Sequence, residues 1–245
     1  FEAQGQNRKG LQLWMSHPAW PSLTWQTYDY YFNPHAAYFG AKKGSEPLHI
    51  QWNPVTDAVE VVNYGVVGAS GLTAHAEILN LDGSVAWQTE VGLDSGYDSV
   101  ESPIVLEFPV AVSPVHFIRL RLAQEGASIS ENFYWRGTEI GNYKALRTLP
   151  EVSLDVGTEV VREGDEYILS TRIRNPSASP ALGVRLVVVG AESGDALLPA
   201  LYSDNFVALM PGESRTIESR LLSADARGQQ PRVMVEGFNV VAEER

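Results

Sequence analysis

The sequence predicts a mainly β protein in which one βα unit precedes two β-sandwiches, and three observations carry that expectation. Residues 12–43, QLWMSHPAWPSLTWQTYDYYFNPHAAYFGAKK, place a short apolar strand before a Pro/Trp loop and an amphipathic aromatic helix. From residue 48 to residue 136, short segments alternate apolar and polar side chains with a period of two, the spacing of strands with one buried face. After Pro150 the same alternation resumes. One βα unit cannot close a core by itself, so the front segment reads as the last piece of a larger α/β barrel.

The elements follow in order. FEAQGQNRKG reads as a helix end, with Arg8 and Lys9 in its last turn and Gly10 as its stop, and resembles a helix interior more than a signal peptide. The chain is therefore expected to be a fragment, or the ordered part, of a longer polypeptide. LQLWM is expected as a strand with Leu11, Leu13 and Met15 on one face. Pro18 and Pro21 bracket a rigid loop that carries His17, Ala19 and Trp20. TWQTYDYYF and AAYFGAKK read as helix interrupted at Asn33-Pro34, since proline lacks a donor and disfavours helical backbone in the residue before it. Nine of the 24 aromatic residues lie between residues 11 and 40, a density that calls for a large body to pack against.

LHIQW, AVEVVNY, LTAHAEILN, VAWQTEV, IVLEFP, HFIRLRLAQ and SISENFYWR are seven strand candidates separated by turns such as Asp82-Gly83 and Glu125-Gly126. Seven short strands in about 90 residues are the pattern of an immunoglobulin-like sandwich. No Cys…Trp…Cys spacing exists, so an antibody-type domain is excluded. NYKALRTLP reads as a short helical connector. EVSLDVG, EYILSTRIRN, VRLVVVG, NFVAL, ESRTIESRLL and RVMVEGFNV then give a second sandwich. The expected domains are residues 1–47, 48–140 and 151–245, with 141–150 as connector.

Composition narrows the function. Hydrophobic residues at 44% and charged residues at 20% are those of a globular chain. Net charge is −12, distributed as +1 over residues 1–47, −7 over 48–150 and −6 over 151–245. A basic footprint is missing, so a nucleic-acid or anionic-membrane partner is not expected. The absence of cysteine excludes disulfides and thiol chemistry and fits an exported bacterial protein, periplasmic or secreted. No histidine or carboxylate set has metal-ligand spacing, and no phosphate loop or dinucleotide fingerprint occurs, so neither metal nor cofactor is expected.

At LWMSHPAWPSLTWQTYDYYFNPHAAYFGAKKGSEPLHIQWNP the chain resembles glycoside hydrolase family 2, in the branch of β-mannosidases and exo-β-glucosaminidases. SENFYWRG, NYKALRTLP and YSDNFVALMPGESRTI extend the likeness over essentially the whole chain. The resemblance implies the last βα unit of a (β/α)8 catalytic barrel followed by two immunoglobulin-like β-sandwich domains. It implies a parent glycosidase that hydrolyses terminal sugars from β-linked glycans with retention, β-mannoside first and β-glucosaminide next. Two glutamates would do that chemistry from earlier barrel strands, about 5–5.5 Å apart. In residues 1–47 the acids are Glu2, Asp29 and Glu46, none placed as a catalytic carboxylate, so this chain alone is expected to be inactive and its partner to be the upstream barrel.

The resemblance also supplies candidate substrate-binding residues. Trp20 follows the last barrel strand, at the face where such barrels build their sites, and its indole would stack on a sugar ring; the alternative is a wedge between Pro18 and Pro21. Ser16 and His17 end the strand and would bond a sugar hydroxyl or a catalytic carboxylate, a loop-orienting role being equally open to His17. Trp14 lies within the strand, where core packing competes with a substrate role. Trp25, Tyr28, Tyr31 and Phe32 read as helix-to-barrel packing, and Arg119, Arg121, Arg172 and Arg174 as solvated strand faces. A rival reading makes residues 48–245 a non-catalytic carbohydrate- or protein-binding tandem, against which Trp87, Tyr97 and Trp135 are scattered rather than aligned.

Overall fold

The computed structural model describes residues 12–22 and 26–244. It is mainly β, with four antiparallel sheets in two compact units. Of the described residues, 12 and 41–148 belong to one unit, and 13–22, 26–40 and 149–244 to the other. The sequence places a border at residue 47; by packing, the described residues of 13–40 join the unit that holds the second sandwich.

The first unit contains β1 (Leu48–Asn53), β2 (Ala58–Asn63), β3 (Ala69–Asn80), β4 (Val85–Ser95), β5 (Ser99–Val105), β6 (Val115–Gln124) and β7 (Ala127–Gly137). They form the sheets β1-β2-β5 and β4-β3-β6-β7. Period-two placement puts Leu72, Ala74, Ala76 and Ile78 of β3 and Ile118, Leu120 and Leu122 of β6 against Ile50, Val59, Val61 and Ile104. The opposite face of β6 is not all solvated. Phe117 is fully buried there, stacked on Phe133 at 5.2 Å and edge-on to Trp135 at 6.4 Å, with the 3-10 turn at Lys144–Thr148 packed back on β6. Arg119, expected on a solvated face, instead pairs with the buried carboxylate of Glu77 on the neighbouring strand.

The free edge of β1 is closed by side chains. Ile50 N donates to Ser130 Oγ at 3.2 Å, Trp52 N donates to the Tyr134 hydroxyl at 3.2 Å, and Asn132 Nδ2 donates to Ile50 O at 2.6 Å. Ser130, Asn132 and Tyr134 alternate along β7, so one face of that strand supplies the bonds a pairing strand would have made. The strand expected at 104–109 lies at Ser99–Val105 instead. Pro103 reads as a breaker, but β5 is an edge strand, where a missing N–H costs no ladder bond.

In the second unit, β8 (Asp155–Glu163), β9 (Glu166–Arg174), β10 (Ala181–Gly190), β11 (Leu201–Tyr202), β12 (Val207–Leu209), β13 (Ser214–Leu222), β14 (Pro231–Gly237) and β15 (Val240–Glu244) form the sheets β12-β10-β14-β15 and β11-β13-β9-β8. Their core holds Leu169, Ile173, Val184, Leu186, Val188, Ile217, Val233 and Val235. The segment read as one strand, 232–240, is two, because the buried Asn239 turns the chain and bonds elsewhere with its side chain. Helix α1 (Ala36–Gly44) contributes Phe39 to this core, at 3% exposure.

Two expected elements at the front are absent among the described residues. Residues 12–15 form no strand: Met15 has φ 64°, which breaks an extended run, and Leu11 lies outside the described residues. The described part of 24–32 is not helical either. The Asp29 carboxylate takes the N–H groups of Tyr31 and Asn33 at 2.8 and 2.9 Å, a local bond that competes with helix, and Pro34 keeps Asn33 out of helical backbone. Residues 28–34 make a tight hairpin instead, with Tyr28 bridged to Pro34.

Candidate functional site

The four candidate residues lie on one irregular stretch ahead of that hairpin. Trp14 is 80% exposed and Trp20 67%, so neither indole is used up in a core. Ser16 and His17 are exposed and adjacent, with Ser16 Oγ 3.1 Å from His17 Nδ1. Pro18 is buried and fixes the stretch between His17 and Trp20. Its other anchor is the carbonyl of Ser16, which accepts from Tyr28 N at 3.0 Å and Thr27 Oγ1 at 3.2 Å.

The hairpin gives the loop a wall. The Phe32 ring lies 4.6 Å from the His17 imidazole, tilted by 40°. Tyr30 and Tyr31 sit beside it, edge to face at 5.1 Å, and Tyr31 and Phe32 are 63% and 58% exposed. Behind the hairpin, Tyr28 meets Tyr38 at 5.6 Å, and burial, then Tyr38, raises the Tyr28 pKa. His35 Nδ1 accepts from Ala37 N at 3.3 Å, capping α1. Burial lowers its pKa against the opposing pull of Asp29.

The two described carboxylates of the front segment are both occupied. Asp29 closes its own turn and also bonds Asn33 Nδ2, at 3.1 Å to Oδ2. Glu46 Oε2 accepts from Ser130 Oγ at 2.6 Å. Glu2 and Trp25 lie outside the described residues. Among the described residues, no group of three or more His, Cys, Asp or Glu side chains is arranged to hold a metal ion, and no helix is long and apolar enough to cross a membrane.

A family model for the exo-β-D-glucosaminidase Ig-fold domain matches residues 132–240. An exo-β-D-glucosaminidase of Streptomyces avermitilis is 32% identical over 98% of this chain and 30% of its own length. A mannosylglycoprotein endo-β-mannosidase of Lilium longiflorum is 24% identical over 94% of this chain and 30% of its length. The crystal structure of Amycolatopsis orientalis exo-chitosanase CsxA superposes with a TM-score of 0.87 at 28% identity, covering 95% of this chain and 30% of CsxA. The likeness to the exo-β-glucosaminidases and β-mannosidases of glycoside hydrolase family 2 thus extends over most of the chain. The chain spans about 30% of the length of these relatives.

Sequence reading placed Tyr28, Tyr31 and Phe32 on a helix, where the structure has a hairpin. The signal for the hairpin was Asp29-x-x-x-Asn33-Pro34: an acid that can cap its own turn, four residues before an asparagine held extended by proline. Trp87 packs on the first core and Trp135 on Phe117, so neither belongs to an exposed aromatic row.

Proposed function

We propose that the chain is part of an exo-acting β-glycosidase that removes terminal glucosamine from β-linked glycans. Hydrolysis proceeds through a covalent glycosyl-enzyme, with retention. Two carboxylates outside the described residues supply the acid/base and the nucleophile. Residues 1–47 adjoin the (β/α)8 barrel that bears them, and the two sandwiches brace it. Trp20 serves as a platform for the apolar face of the sugar, with Ser16 and His17 bonding its hydroxyls. The protein works in the periplasm or the medium.

The observation that carries this reading is the superposition on CsxA, with a TM-score of 0.87 over 95% of the chain. The name exo-β-D-glucosaminidase on the more similar relatives shifts the sugar from mannoside, favoured by the sequence alone, to glucosaminide.

The test compares this chain with a longer polypeptide containing it, on p-nitrophenyl β-D-glucosaminide and β-D-mannoside. The longer protein should release nitrophenol from the glucosaminide and yield the β-anomer first by NMR, while the 245-residue chain gives no turnover. Trp20→Ala should lower kcat/KM about tenfold, the equivalent of about 1.4 kcal/mol of lost ring contact. Turnover by this chain unaided, or none of either glycoside by the longer protein, refutes the proposal.

A further inference from the structure

We infer that the hairpin at residues 28–34 is a clip through which the second sandwich sets the position of the Ser16–His17–Trp20 loop, and that Tyr28, Phe32 and Tyr38 are positioning residues for it. The consequence for catalysis rests on the sugar-contact reading above; the clip itself does not.

The base of the clip is tied to the sandwich core by rings in sequence. Tyr28 meets Tyr38 at 5.6 Å, Tyr38 meets Phe39 at 5.1 Å edge to face, and Phe39 lies 6.4 Å from Tyr202 and 5.9 Å from Phe206. The same base holds the loop, because Tyr28 N and Thr27 Oγ1 both donate to the carbonyl of Ser16. A displacement of Tyr38 therefore reaches Ser16 through Tyr28, whose ring meets Tyr38 and whose N–H bonds the Ser16 carbonyl.

The tip makes the second hold. Phe32 lies against His17 at 4.6 Å, yet the residue is 58% exposed, so core burial does not explain its place. Its backbone is at φ 67°, costly for a bulky residue. Met15, on the loop side of the same contact, is at φ 64°. Among the described residues of 13–40, these two are the only positive-φ residues other than glycine, and each lies within two residues of His17 or against its ring. Asp29 holds the tip in that conformation: its carboxylate takes Tyr31 N, Asn33 N and Asn33 Nδ2, while Asp29 N donates to Asn33 O at 3.0 Å. A turn so fully determined, ending in an exposed ring against an exposed imidazole, fixes the loop rather than the core.

Phe32→Gly separates ring from turn, since glycine accepts φ 67° without strain. In the chain as it stands, this variant should move the His17 ring-proton resonances out of the ring-current shift of Phe32 while the urea midpoint stays unchanged. Phe32→Tyr should restore them. Asp29→Ala and Tyr38→Ala should move both the His17 signals and the Trp20 indole N–H, with the amides of β8 and β9 unmoved. In the longer enzyme, Phe32→Gly should lower kcat/KM on p-nitrophenyl β-D-glucosaminide about tenfold, with Phe32→Tyr near wild type. Unmoved His17 signals in Phe32→Gly and Asp29→Ala overturn the clip. Moved signals with unchanged kinetics uphold the clip and count against the sugar-contact reading instead.

Discussion

Asn239 should be among the most costly polar residues to lose in the second unit. It is 6% exposed, and its amide makes three bonds across the unit: Oδ1 accepts from Leu182 N at 3.0 Å, and Nδ2 donates to Pro180 O at 2.8 Å and to Pro150 O at 3.0 Å. Asn239→Ala orphans all three. The Leu182 N–H and the Pro180 carbonyl belong to buried residues, and each orphaned group costs about 1–3 kcal/mol. Pro150 is exposed and its carbonyl can be rehydrated, for about 1 kcal/mol. The expected loss is about 3–7 kcal/mol, a fall of about 1.5–3.5 M in urea midpoint at a slope of about 2 kcal/mol per M. Asn239→Asp keeps the shape but turns both donors into acceptors facing carbonyls. Burial would raise that carboxyl above its unfolded value of about 3.9. Its deficit should therefore be full near pH 7.5 and shrink as pH falls through the folded pKa, where the protonated acid can donate one bond. The Ala deficit relative to wild type should not change with pH. Urea unfolding followed by amide NMR resolves the second unit from the first. Losses under 1 kcal/mol, or an Asp deficit equal at pH 4.5 and 7.5, would refute the bonding account.

Phe39→Ala should destabilise the second unit by about 3–5 kcal/mol, since it empties a site ringed by Tyr38, Tyr202 and Phe206; an unchanged urea midpoint together with unchanged amide protection in α1 would show that the helix is not part of that core. The first unit should lose stability as pH falls below the ordinary imidazole range. His116 is fully buried, with Nδ1 3.1 Å from Ser113 O and Nε2 3.1 Å from Arg136 Nη1, whose guanidinium lies 3.9 Å over Phe108. Burial lowers the His116 pKa, the Ser113 bond opposes it and Arg136 lowers it further. A folded pKa below the unfolded one means that stability is whole above the unfolded value and is lost as pH drops through the folded one. His116→Gln should flatten that slope in urea titrations at stepped pH, and an identical slope in the variant would exclude His116 as its source.

Period-two alternation made most of the strands legible, because a strand's burial pattern is local: HFIRLRLAQ announces β6 whatever lies opposite it. Pro103 hid the start of β5, since only the sheet order shows that this strand is an edge. The candidate loop was legible as residues but not as geometry. Trp14 was read within a strand and stands exposed, because the positive φ of Met15 cannot be inferred from its side chain.

The sequence by itself determined two antiparallel sandwiches, an acidic chain without thiols, and an aromatic front segment, all properties of neighbours along the chain. Tertiary structure alone decided that Phe39 would enter the second core, that Ser130, Asn132 and Tyr134 would close the edge of β1, and that Phe32 would meet His17. Those outcomes depend on which distant groups need a bond or a contact, and neither propensity nor periodicity records that need.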